Sequence, residues 1–237
     1  MARRTYEQFC GLAHALDVVG ERWTLLIVRE LMSGPKRYSD LTAALDGIGT
    51  SLLATRVRQL ETDGIARRRL GDPPAASVVY ELTPTGRELA RAVIPLALWG
   101  ARHYMSDERA PQESHRPEWA LVFLADGLDP STLAGMTADY DFHIDGSTAR
   151  LRIAAGQATV TNPSAAPADA ELTSDAATVA AIAGGRTTIA AAVTNGQLRV
   201  EGNPEALQTL LSLLDTQLNS YRNQISGPGH QPAPTEG

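Results

Sequence analysis

Apolar positions in the first hundred residues repeat at the spacing of a helix. Leu12, Ala15, Leu16 and Val19 share one helical face, and a second helix over about 22–33 carries Trp23, Ile27 and Leu31. Gly34-Pro35 should stop that second helix, because proline cannot continue it. SDLTAAL (39–45) predicts a short third helix, DGIGT a turn, and GTSLLATRVRQL a fourth helix ended at Gly64. The pattern then changes to short extended runs, IARRRL (65–70) and SVVYEL (77–82), flanking a proline-bearing tip, GDPPAA. Thr83-Pro84 has the composition of an N-cap and first helical residue, and a long helix should follow to about Tyr104 with a kink at Pro95. Four helices, a strand, a tip, a strand and a helix make a helix-turn-helix with a wing.

After residue 118 the period is two. ADYDFHID (138–145), ARLRIA (149–154), QATVT (157–161), AELT (170–173) and QLRVE (197–201) each alternate apolar with polar. That pattern predicts a five-stranded, mainly antiparallel sheet with one face in water. Asp145-Gly146 is a hairpin signal. Helices should cover the other face: one over 175–183 capped by Ser174, a short one at TIAAAV (188–193), and a last one from Asn203-Pro204. The last helix carries a stripe of Leu207, Leu210, Leu211, Leu214 and Leu218. Residues 118–126 read as a further helix. The chain is therefore α+β, with 1–105 as the winged domain, 106–117 a linker, 118–222 the sheet domain and 223–237 a disordered Pro/Gly-rich tail.

Charge sharpens this division. The formal net charge is −6, yet residues 1–106 hold fourteen Arg/Lys against eleven Asp/Glu, a net of +3. Residues 107–237 hold seven against sixteen, a net of −9. Only the first half suits a polyanion. Within it, Leu53 centres the buried face of the fourth helix, with Val57 and Leu60 within about 40° of it. Ser51, Thr55 and Arg58 fall on the opposite face. Such groups can read base edges: arginine pairs with guanine O6 and N7, and hydroxyls with several edges. Thr50 sits at the helix start, where phosphates are held. Arg37, Ser39 and the wing residue Arg68 complete the candidate DNA-binding set. Arg56, about 60° from the buried centre, is expected to pair with Glu61.

CGLAHALDVVGERWTLLIVRELMSGPKRYSDL, GIGTSLLATRVRQLETDGIARR and VYELTPTGREL closely resemble the HxlR-type winged helix-turn-helix transcriptional regulators, over about residues 7–104. The resemblance implies a homodimer built from the first and last helices of this domain, with the helix at 50–62 in the major groove. It also implies a pseudo-palindromic operator of double-stranded DNA, with half-sites roughly 34 Å apart or a multiple of that. Cys10 matches the N-terminal cysteine that senses oxidants or electrophiles in some members, which makes it a possible redox site.

Alanine-rich segments over a wide sheet can leave a cavity for an apolar ligand or can close into a dense core; composition by itself favours the dense core. The stretch LRIAAGQATVT…DAELTSD…GGRTTIAAAV…GQLRVEGNPEAL resembles a sterol carrier protein 2-like domain over about residues 118–219. That resemblance implies a hydrophobic site for a lipid or other apolar small molecule. The candidate lining residues are Phe142, Leu151, Ile153 and Val160 from the sheet, and Ile182, Val193, Leu210 and Leu214 from the helices.

The remaining motifs exclude more than they add. The histidines at 14, 103, 115, 143 and 230 share no metal-ligand spacing, and no nucleophile elbow, P-loop or dinucleotide fingerprint is present. His143, Asp139, Asp141 and Asp145 read as a solvated polar strand face. No catalytic residue, metal or cofactor is expected, and no enzyme activity. No apolar run approaches the roughly 20 residues of a membrane span, the N-terminus is a poor export signal, and one cysteine forbids an internal disulfide. The expected place is the cytoplasm. The leading expectation is a ligand-responsive DNA-binding regulator. The alternatives are a lipid carrier whose winged domain serves only dimerisation, and a regulator that responds through Cys10.

Overall fold

A computed structural model describes residues 5–71 and 77–226, with side chains through Tyr221. The wing tip at 72–76 and the tail beyond 226 lie outside the described residues. Two compact units divide at Val93/Ile94. The break falls inside a helix, upstream of the linker at 106–117, because the second half of that helix packs with the second unit. A Cβ on Gly184 would stand 2.9 Å from the backbone of Ala101.

The first unit runs α1 (Gly11–Val19), α2 (Thr24–Met32), β1 (Lys36–Arg37), α3 (Tyr38–Ala44), α4 (Thr50–Thr62), β2 (Ala66–Leu70), β3 (Val78–Leu82) and the start of α5 (Pro84–His103). Its core joins Ile27, Val28 and Leu31 of α2 to Leu41 of α3, Leu53, Val57 and Leu60 of α4, and Leu82 of β3. The periodic apolar residues of α2 and α4 thus face inward as their spacing requires. Gly64, at φ +69°, turns the chain out of α4, and the N–H of Ile65 returns to the carbonyl of Leu60 at 2.9 Å. Thr83 Oγ1 accepts from the N–H of Gly86 at 3.1 Å, so it caps α5 as expected.

Two first-unit features differ from expectation. The sheet has three strands in the order β1-β3-β2, since Lys36 and Arg37 pair with Tyr80 and Val79. Two residues are too short to show alternation. Among the described residues the apolar face of α1 is left largely uncovered: Leu12 is 68% exposed and Leu16 37%, and Phe9 just before the helix is fully exposed.

The second unit contains the rest of α5, then α6 (Pro117–Gly127), β4 (Ala138–Ile144), β5 (Ser147–Ala154), β6 (Gln157–Thr161), β7 (Ala170–Ser174), α7 (Ala176–Ala183), α8 (Ile189–Thr194), β8 (Arg199–Gly202) and α9 (Pro204–Ser226). Its sheet has five strands in the order β6-β5-β4-β7-β8. Only the central β4–β7 pair is parallel. Asp145 and Gly146 both have positive φ (48° and 77°), as the two-residue hairpin between β4 and β5 requires. Asn203 Oδ1 accepts from the N–H of Glu205 at 2.8 Å and starts α9.

Two expectations about the helices are corrected. Asp175, not Ser174, caps α7: its Oδ1 accepts from the N–H of Thr178 at 2.7 Å, while Ser174 Oγ donates to the carbonyl of Gln197. The helix α9 continues through 223–226, the first residues of the expected tail.

The polar face of the sheet is not simply solvated. Arg150, 2% exposed, donates from Nε and Nη2 to both carboxylate oxygens of Asp141 at 2.6 and 2.8 Å. It also donates to Ser164 Oγ and to the carbonyl of Ala166, in the segment between β6 and β7. Arg152 holds Asp139 in the same two-pronged way, and its hydrogen bonds are the main reason the Asp139 carboxyl is held below its ordinary range. His143 is bracketed by Thr148 Oγ1 at 2.8 Å and Glu171 Oε2 at 3.2 Å. Cross-strand register puts Arg150 opposite Asp141, Arg152 opposite Asp139 and Thr148 opposite His143, with Glu171 diagonal to His143, and register is a tertiary fact. No described helix is long and apolar enough to cross a membrane.

Candidate functional site

The first candidate is the outer face of α4. Leu53, Val57 and Leu60 bury one side, so the helical period turns Ser51, Thr55 and Arg58 outward, and all three are exposed. The helix is held from three directions. Tyr38 of α3 donates its hydroxyl to the carbonyl of Thr50 at 2.7 Å, which ties the two helices of the motif at their junction. Arg56 donates from Nη2 to Glu21 Oε2 at 2.5 Å, linking α4 to the turn before α2. The partner is thus Glu21 and not Glu61. At the far end the chain turns at Gly64 into β2.

Two outward groups are partly occupied within the helix. Thr55 Oγ1 donates to the carbonyl of Ser51 at 2.9 Å, and Arg58 Nε to that of Ala54 at 3.2 Å. Thr55 keeps its acceptor lone pairs, and Arg58 keeps its terminal guanidinium nitrogens for a bidentate partner. Thr50 is exposed at the helix start; Arg37 and Ser39 are exposed at the start of α3. The backbone N–H of Arg37 is taken by Asp40 Oδ2 at 2.8 Å, which leaves its side chain outside that contact.

In the wing, register separates the three arginines. Arg67 and Arg69 each donate to Glu81 (2.7 and 2.8 Å), and the Arg69 hydrogen bond is the main reason the Glu81 carboxyl is held below its ordinary value. Arg68 points to the other side of β2, opposite Tyr80 rather than Glu81, and is exposed. The three are alike in sequence; the cross-strand glutamate decides which are neutralised.

Cys10 is exposed at the start of α1. The N–H groups of Ala13 and Leu12 lower its thiol pKa. This is the electrostatic effect of a helix start on an anion.

The second candidate is a half-open cavity of about 120 Å³ between the apolar face of the second unit's sheet and its helices. Of the residues expected to line it, Phe142, Ile182 and Leu214 do. Leu151, Ile153, Val160 and Leu210 are buried in the core beside it without reaching the space, and Val193 is exposed. Leu121 and Leu124 of α6, Ile144 and Leu172 of the sheet, Leu198 before β8 and Leu218 of α9 supply much of the remaining lining. Alternation already put Ile144 and Leu172 on the apolar face, and Leu218 belongs to the leucine stripe of the last helix. The α6 residues carried no such signal, because that helix is apolar nearly all round.

Residues 18–108 match the HxlR-like helix-turn-helix family, and residues 114–222 match the alkyl sulfatase C-terminal family. The chain is similar to an uncharacterized HTH-type transcriptional regulator of Synechocystis, sll1512, at 36% identity over 105 residues, covering 44% of this chain and 73% of that protein. Among solved structures it is similar to the transcriptional regulator YodB from Bacillus subtilis in its reduced form. That match is 30% identical, covers 41% of this chain and 96% of YodB, and has a TM-score of 0.37. A double mutant of the sec-alkyl sulfatase PisA1 is similar at 20% identity over 42% of this chain and 16% of that one, with a TM-score of 0.38.

Proposed function

The chain belongs to the HxlR-like helix-turn-helix family of transcriptional regulators, and from that premise we propose that it binds operator DNA as a homodimer whose affinity is set by an apolar small molecule in the second unit. The observation that carries the DNA-binding reading is the exposed Ser51, Thr55 and Arg58 face of a helix anchored on its other side by Leu53, Val57 and Leu60. The positive balance of the first half supports it, since phosphate contacts dominate affinity. Arg58 is the base-reading candidate, and Thr50, Arg37, Ser39 and Arg68 are the candidates for holding phosphates. The uncovered apolar residues of α1, Phe9, Leu12 and Leu16, support a second copy as the partner of that face.

In the second unit we read a sterol carrier protein 2-like ligand domain without catalytic function. The apolar cavity supports that reading. A ligand there changes DNA binding only through different affinity for two states of the protein.

Replacing Arg58 with alanine is expected to cost about 1–3 kcal/mol of operator affinity and to relax preference at one base pair per half-site. Wild-type affinity should fall with salt at a log–log slope of about −0.9 per phosphate neutralised. Gel-shift titrations on the protein's own upstream region measure both quantities, and their stoichiometry should be two chains per operator. Unchanged operator affinity for Arg58→Ala removes this residue from the reading face; a flat salt dependence removes the interface.

A second reading is favoured by the exposure of Cys10 and its lowered pKa: a thiol-responsive regulator. On that reading Cys10→Ser abolishes any effect of a mild oxidant on the gel shift. An oxidant effect that survives the substitution rules it out.

A further inference from the structure

Resting on the ligand-domain reading, we propose that the second-unit cavity selects a neutral apolar group of about six non-hydrogen atoms and rejects anions of the same chain length, alkyl sulfates and carboxylates included. Size sets the first limit. At about 120 Å³ the space is slightly smaller than the roughly 150 Å³ apolar cavity that admits benzene. It lies well below the ~300–1,000 Å³ of a site for a whole drug-sized ligand. One short alkyl or aryl group fills it.

Charge sets the second limit. Every lining residue is apolar except Ser174, and none is charged. The Ser174 hydroxyl proton is already donated to the carbonyl of Gln197 at 2.9 Å, so the serine offers a ligand only lone pairs. Those accept a hydroxyl proton and repel an anion.

Several cations of this unit are already engaged with acids: Arg109 with Asp145, Arg150 with Asp141, Arg152 with Asp139, and Arg186 with Asp107. Arg150 and Arg152 alternate with Leu151 and Ile153 along β5, which puts them on the sheet face away from the cavity. Residues 107–237 carry a net charge of −9, so the overall charge of this half disfavours an anion as well. An anionic head drawn toward this lining loses water and gains no counter-charge. The similarity of residues 114–222 to an alkyl sulfatase domain therefore extends, on this argument, to the alkyl part of such a ligand and not to its sulfate.

The test is calorimetric titration of the full-length protein with hexan-1-ol, hexanoate and hexyl sulfate at pH 7 and one ionic strength. Hexan-1-ol is expected to bind at least about tenfold more tightly than either anion. Ala183→Leu, which fills the space from α7, should abolish that binding. Ala120→Leu fills it from α6 and serves if the first variant does not fold.

An anion that binds as tightly as the alcohol overturns the charge selection and leaves the ligand site standing. Undiminished hexan-1-ol binding in a folded filling variant overturns the assignment to this cavity. Absence of binding by all three probes overturns the ligand-domain reading itself together with this proposal.

Discussion

Arg150→Met is expected to destabilise the second unit by about 3–5 kcal/mol, the cost of leaving the Asp141 carboxylate in the protein without its counter-charge. The native guanidinium meets both Asp141 oxygens and is itself 2% exposed, so water has little access to repair the loss. The substitution also removes the donors to Ser164 and Ala166, which tie the segment between β6 and β7 to the sheet. For a unit of this size the melting temperature should fall by roughly 10–20 °C. Replacing both partners, as Arg150→Met with Asp141→Leu, should return most of that stability, because two apolar groups leave no stranded charge. Differential scanning calorimetry of the single and double variants decides the matter. A single variant that melts with the wild type would show that this pair is open to water.

Leu53→Ala should destabilise the first unit by about 2–5 kcal/mol, through lost burial and the cavity left behind. Leu53 is 0% exposed and sits among residues of α2, α3 and α4. It therefore supports the whole helix-turn-helix rather than one contact. Urea unfolding followed by circular dichroism reads the loss. The contrast with Arg58→Ala is the informative part: one substitution should lower stability and spare the affinity of the folded fraction, and the other should do the reverse. If Leu53→Ala left the unfolding midpoint unchanged, the inward face assigned to α4 would be wrong.

The division of α4 into an anchored and an outward face was legible in advance, because a helix of this length repeats its pattern several times. The same holds for the strands of the second unit and for the hairpin at Asp145-Gly146. The two-residue strand at Lys36–Arg37 was not legible, since a pattern needs more than one period to be seen. Nor was the partner of Arg56. Glu61 is near in sequence, but Glu21, 35 residues away, is the residue that packing brings to it. Likewise Arg67, Arg68 and Arg69 look alike in the chain, and only their register against Glu81 separates the paired from the outward-facing.

The ligand site shows the limit most clearly. Alternation and the leucine stripe identified the apolar faces, and Phe142, Ile182 and Leu214 do meet around one space. Which neighbours leave that space open depends on how α6, α7 and α9 settle over the sheet. Leu151, Ile153 and Leu210 carry the same sequence signal and are fully packed instead.

By itself the sequence determined the order of elements, their inward faces, the family of the first unit and the opposed charges of the two halves, because these follow from local periodicity, composition and motif order. Only the tertiary structure decided which charges neutralise one another, which arginines stay outward and where the core fails to fill. Those outcomes depend on distances between residues far apart in the chain, and no local pattern encodes them.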